Sequence, residues 1–227
     1  MNTGTSFWKA AWAVFLKDLI AEWRSREILT AQWTFALLVI FIFDFALEFD
    51  PRAQQRVAVG VLWTLFAFAG TLGLNRSLSM ERENQCLEGL LLAPVDRGAL
   101  YLGKALANLV FLFITAAIVI PVYSALYNVS LLHPGFLLVL FLGFVGYIAV
   151  GTLIATMTVQ ARTRDILLPL LLFPLILPII VAAVRASEGF LLGNPWSDIR
   201  TWVNLLVVYN ILFGTASFLA FDFVVEG

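Results

Sequence analysis

The sequence predicts an all-α membrane protein: six transmembrane helices behind one amphipathic N-terminal helix. Three observations predict it. First, 61% of the 227 residues are hydrophobic and only 13% are charged, with a mean hydropathy of +0.93. A soluble domain is about 45–50% apolar and about 25% charged, so a water-soluble enzyme is excluded. Second, the apolar residues gather in near-continuous runs rather than alternating strands of about ten residues, which argues against a β-barrel. Third, backbone polar groups cannot stay unpaired in lipid, so such runs must be helical. One Cys, 15 Gly and 8 Pro exclude a disulfide scaffold, a collagen-like chain and disorder. A net charge of −1 gives no reason to expect nucleic acid.

The first element is amphipathic, over residues 6–27. Trp8, Trp12, Phe15, Leu19 and Trp23 fall on one stripe at helical spacing, with Lys17 and Arg24 opposite and Glu22 at the stripe's edge. Charged residues interrupt it throughout, so it is not a cleavable signal. Three Trp with flanking basic residues suit a helix lying in the membrane interface. The other reading is a leader packed on the protein's own bundle.

Six apolar segments follow, at about 31–47, 57–74, 100–127, 136–159, 166–184 and 202–225. Each approaches or exceeds the roughly 20 residues a crossing takes. Together they leave only short loops and no room for a soluble catalytic domain, so residues 1–227 read as a single membrane domain. Basic residues set orientation. With the N-terminus in the cytoplasm, ten lie inside (Lys9, Lys17, Arg24, Arg26, Arg76, Arg82, Arg97, Lys104, Arg162, Arg164) and four outside (Arg52, Arg56, Arg185, Arg200). Both termini are then expected in the cytoplasm. The longest polar stretch, 75–99, is internal. An outer linker over 185–201 carries Phe190, Leu191, Leu192 and Trp196.

Gly98, Gly103 and Lys104 have the spacing of a phosphate-binding loop, but Ala105 stands where the Mg²⁺-binding hydroxyl belongs. The segment opens a transmembrane helix rather than following a strand. Lys104 is expected to snorkel to the cytoplasmic interface, and any ATP must be hydrolysed by another chain. His133 and Cys86 are the sole residues of their kinds and fall on opposite sides of the membrane, so no metal cluster is expected. His133 beside Pro134 reads as a solvated loop residue, with axial ligation of a haem as the other possibility.

Within the internal linker, Leu87, Leu90, Leu91 and Pro94 have i, i+3, i+4, i+7 spacing, and the acids Glu81, Glu83 and Glu88 lie toward the front of the run. Ser77 or Ser79 is placed to cap a short helix there, and Pro94 to end it. An acidic, amphipathic, cytoplasmic helix on a chain without its own engine suits docking of a soluble partner. A helix lying on the bilayer fits less well, because anionic lipid repels acids.

Residues 66–111 resemble the CcmB family of cytochrome c maturation. The spacing Arg76-Ser77, Glu81, Glu83, Leu87-Glu88, Leu90 to Pro94, Arg97 and Tyr101 to Lys104 carries most of the match. Leu167-Leu168-Pro169, Phe173-Pro174 and Pro178 add to it. The resemblance implies an ABC-2-like exporter permease in the bacterial inner membrane. It implies a second copy of the chain, a cytoplasmic ATPase subunit, a haem-handling membrane subunit and a periplasmic haem chaperone. ATP would sit on the partner and haem would be cargo, with no cofactor on this chain. ATP hydrolysis would drive either haem export or release of the haem-loaded chaperone. Residues 75–99 become the coupling segment, with Arg76, Glu81, Glu83, Leu87, Glu88, Leu90, Leu91, Pro94 and Arg97 as its contact residues. A non-transporting scaffold for haem-handling subunits, and the permease of an unrelated ABC-2-type exporter, are the alternatives.

Inside the apolar runs, Asp44 stands out, because a charge there costs about 2.5–3.5 kcal/mol. It is either functional or an interfacial acid near Glu48. Asn108, Asn204 and Asn210 are candidates for interhelical hydrogen bonds, and Gly143, Gly146 and Gly151 for close helix contact. Pro169, Pro174 and Pro178 predict a kinked or interrupted fifth span, as a hinge or a static bend.

Overall fold

The computed structural model describes residues 7–47, 51–83, 96–127, 129–159, 161 and 163–226. Among them are α1 (Phe7–Ser25), α2 (Glu27–Leu47), α3 (Pro51–Glu83), α4 (Arg97–Tyr127), α5 (Pro134–Thr158), α6 (Arg164–Leu191) and α7 (Trp196–Glu226), with no strand. The six from α2 to α7 are long and apolar enough to cross a membrane, so the chain is a multi-pass membrane protein.

An elbow separates α1 from α2. Arg26 adopts φ 57°, a left-handed conformation that costs a non-glycine residue about 1–2 kcal/mol. Its N–H donates to Glu22 O at 2.7 Å and its carbonyl accepts from Thr30 N at 3.1 Å, which holds the turn. Both Glu22 carboxylate oxygens reach across it, accepting from Ile28 N at 3.1 Å and Leu29 N at 2.8 Å. These are first-turn amides of α2 that have no partner within the helix. Glu22 is only 2% exposed. It is a buried cap for the next helix, not a flaw at the edge of a stripe.

The bundle is organised around α3 and α5. α3 touches α2, α4, α5 and α6, while α5 touches α3, α4, α6 and α7. Trp63, Phe66 and Phe144 meet edge-to-face, with centroids 5.0 to 6.2 Å apart, the arrangement aromatic quadrupoles favour. Hydroxyls then tie helix to helix: Trp63 Nε1 donates to Ser187 Oγ at 3.0 Å and Tyr123 to Ala58 O at 2.6 Å. The α5 glycines admit close approach as expected: a Cβ at Gly143 would lie 2.4 Å from the Trp63 ring, and one at Gly146 2.3 Å from Ile179 Cδ1. Gly151 faces Leu74 in the same way. Large apolar side chains including Phe45, Ile166, Ile211 and Phe223 point outward, as a bilayer solvent permits.

Several expectations change. α3 does not end near residue 74: it runs on to Glu83. Ser77 and Ser79 are buried within it, and Ser79 Oγ donates to Asn75 O one turn back, so neither starts a new helix. The expected outer linker over 185–201 is mostly helical, because α6 reaches Leu191 and α7 begins at Trp196. An Arg185–Glu188 pair at 3.5 Å extends α6, and Gly193 at φ 69° ends it in the left-handed conformation glycine adopts freely. α6 is continuous through Pro169, Pro174 and Pro178, which rules out the interrupted form of that span. Proline is tolerated in membrane helices where neighbours re-satisfy the backbone. The carbonyls these prolines leave without an intrahelical donor are those of Asp165, Leu170 and Pro174; Tyr209 of α7 donates to the neighbouring Leu175 O at 2.9 Å and ties α7 to α6 beside them. Asn210 bridges helices as expected, donating to Leu142 O at 2.9 Å. Asn108 instead bonds Lys104 O of its own helix, and Asn204 is exposed.

Candidate functional site

The two described ends of the predicted coupling segment, in α3 and α4, carry polar side chains that reach neighbouring helices. Arg76, near the end of α3, forms an ion pair with Glu27 at the start of α2. One residue earlier, Asn75 Nδ2 donates to Asp165 Oδ1 at 2.8 Å, joining α3 to the first turn of α6. Arg164 Nε lies 3.7 Å from the same carboxylate oxygen. Asp96 Oδ1 accepts from Gly98 N at 2.8 Å and caps α4. Arg97, the first residue of α4, donates to Asp222 O of α7 at 3.3 Å. The Arg76–Glu27 pair is roughly 40% exposed on both sides, so it sets geometry more than stability. The result is a polar collar in two parts, one tying α3 to α2 and α6 and the other tying α4 to α7.

Of the predicted coupling residues, the structure brings Arg76 and Arg97 into this collar. Glu81 and Glu83 belong to the last turn of α3. Leu87, Glu88, Leu90, Leu91 and Pro94 lie outside the described residues, as does Cys86. Asp96, Asn75, Asp165 and Glu27 were not singled out by sequence. The signal for Asp96 was its position just before Arg97-Gly98, where a cap belongs.

A second polar feature abuts the collar. Asp18 of α1 and Lys104 of α4 face each other at 3.9 Å, 9% and 5% exposed. Lys17 Nζ lies 3.1 Å from the other Asp18 oxygen. Lys104 therefore does not snorkel to the interface: α1 covers it and supplies its counter-charge. The phosphate-loop spacing around it has the same cause. A Cβ on Gly103 would lie 2.7 Å from both Ala11 O and Val14 Cβ, so glycine lets α1 and α4 approach. Gly98 and Gly103 lie within a continuous helix, which cannot wrap phosphates with its N–H groups. Acids at i, i+4 on the same side as Ala10, Ala11 and Val14 were the sequence signal for this seam.

At the other end, Asp44 is half-buried on α2, near enough to Tyr127 to interact with it electrostatically, and Tyr127 donates to Ile40 O at 3.4 Å. His133 is exposed and caps α5, with Nδ1 accepting from Gly135 N at 3.1 Å. That bond assigns the ring proton to Nε2, the nitrogen an iron would otherwise take, so ligation would require the cap to be given up. Among the described residues no group of three His, Cys, Asp or Glu is placed to hold a metal ion.

The collar and seam occur in a chain with known relatives. Residues 9–225 match the family model described as CcmB protein. The chain is 27% identical over 178 residues to heme exporter protein B of Haemophilus influenzae, covering 78% of this chain and 80% of that protein. It is 28% identical over 190 residues to heme exporter protein B of Rhodobacter capsulatus, covering 81% and 86%. To that of Pseudomonas aeruginosa it is 26% identical over 170 residues, covering 74% and 76%. With nearly the whole chain matched and six helices fit to cross a bilayer, this protein belongs to the CcmB family.

Proposed function

We propose that this chain is the permease subunit of an ABC-type haem exporter in a bacterial inner membrane, with both termini in the cytoplasm. It works as a lever moved by a separate ATPase and has no hydrolytic site of its own. The likeness to proteins named heme exporter protein B, over about three-quarters or more of their length, carries this reading. The collar supports the mechanical part. An ATPase pressing on the linker between α3 and α4 would act on two helices whose ends are tied to α2, α6 and α7. Displacement of the linker is then shared by the bundle rather than absorbed by one helix. Two copies of the chain, a haem-handling membrane subunit and a periplasmic haem chaperone complete the proposed assembly.

Two measurements test it. Charge reversal at Glu81, Glu83 and Glu88 together should reduce copurification of the ATPase several-fold without changing the monodispersity of the chain; unchanged copurification overturns the coupling role. Haem flux into sealed vesicles should require ATP. Release of loaded chaperone with ATP, but without flux, overturns export and assigns the energy to chaperone release.

A further inference from the structure

α1 has three faces, and the third is unaccounted for by the bundle. At 100° per residue, Ala10, Ala11, Val14, Asp18 and Glu22 make one arc, buried on α4 and the elbow. Trp8, Trp12 and Trp23, at 72%, 58% and 81% exposure, make a second with Leu16 and Ile20. Lys17 and Arg24 lie on the remaining exposed side, while Lys9, also exposed, falls within the second arc between Leu16 and Ile20. Both acids of the helix are thus turned inward, and every charged side chain it shows outward is basic. Arg26, also exposed, continues this charge at the elbow.

From this segregation we propose that α1 binds anionic phospholipid headgroups, holding the seam with α4 at the surface of an acidic leaflet. The tryptophans enter the acyl boundary, where an amphipathic ring is most at home. Lys9, Arg24 and Arg26 lie at headgroup level and meet negative charge, while Lys17 is already paired with Asp18. The inward acids explain why the face selects: an Asp or Glu left outside would cancel part of the attraction. This inference does not depend on what the protein exports.

The test uses the full chain in vesicles of phosphatidylcholine with increasing phosphatidylglycerol. Spin-labelled phosphatidylglycerol should be immobilised by the wild type in preference to spin-labelled phosphatidylcholine. Lys9→Gln with Arg24→Gln, which leaves Lys17 and the seam intact, should lower that preference by about threefold. Lys9→Arg with Arg24→Lys should retain it. Equal preference in the Gln variant and the wild type overturns the proposal. Brominated acyl chains should quench the emission that is lost on Trp8→Phe, Trp12→Phe and Trp23→Phe; an unquenched component means that protein, a second copy included, covers this face, and the proposal fails.

Discussion

The centre formed by α3, α5 and α6 and the seam between α1 and α4 are both close helix contacts, yet they are built from opposite materials. The centre is aromatic, with rings interlocked over glycine and its few polar groups spent on hydroxyl bonds. The seam is small and charged: Ala10, Ala11, Val14 and Gly103 bring two backbones together, and Asp18 and Lys104 meet in the gap. The difference teaches how a lipid solvent changes the meaning of amphipathicity. In water the apolar stripe of a helix faces the core. In α1 the polar, small stripe faces the protein and most of the tryptophan stripe faces away. Phe15 and Leu19 of the same stripe pack beside Ile28, Ala107 and Phe111. A helix association driven by packing and polar contacts rather than by water has this form.

The largest expected effect lies in the centre. Trp63→Ala removes a 1%-exposed indole from between Phe66 and Phe144 and leaves Ser187 without its donor. A cavity of that kind costs about 3 kcal/mol, at the lower end for large-to-small aromatic changes because lipid, not water, is the alternative environment. Unfolding in mixed micelles titrated with dodecyl sulfate reads it directly. A loss under about 1 kcal/mol would mean the centre collapses around the gap, and packing is not what distinguishes it.

The seam should respond to charge instead. Asp18→Ala takes the near carboxylate from buried Lys104 and is expected to cost about 2 kcal/mol, below the usual cost of breaking a buried pair because 3.9 Å is a loose contact. Adding Lys104→Met should recover most of the loss, since a matched apolar pair leaves no buried charge uncompensated. Additive losses in the double variant would show that the two residues do not act as a pair. That cycle sharpens the comparison, because no double variant should rescue Trp63→Ala.

What the sequence made legible follows the same division. The six crossings, α1 and the small contact positions of α5 were readable, because they rest on apolar periodicity and glycine placement. The seam was not: Glu22 looked like a blemish and Lys104 like a snorkelling base, since periodicity assigns polar residues to solvent and cannot see α1 folding back over α4. The true ends of α3 and α6 were also hidden. Both helices continue past their apolar runs on short-range polar support, Ser79 to Asn75 O in one and Arg185 with Glu188 in the other. In the collar, Arg76 and Arg97 were singled out, but their partners Glu27 and Asp222 are distant in sequence and carry no local signal.

The smallest effect is the sharpest test of the centre's character. Tyr147 of α5 lies 2.8 Å from both Ala67 O and Thr71 Oγ1 on α3, and Thr71 Oγ1 lies 2.7 Å from the same carbonyl. Two hydroxyl protons serve three contacts, so one of the contacts is always supplied by a shared proton or left as simple proximity. Tyr147→Phe keeps the ring and leaves Thr71 free to donate to Ala67 O. The expected loss is about 0.6 kcal/mol, the average for an interhelical hydrogen bond in a membrane. If Tyr147→Phe costs as much as Asp18→Ala, the centre is held by its polar network as much as by its rings, and the contrast between the two contacts dissolves. If it costs a fraction of that, as expected, hydroxyls in the centre fix the register of helices that packing already holds together.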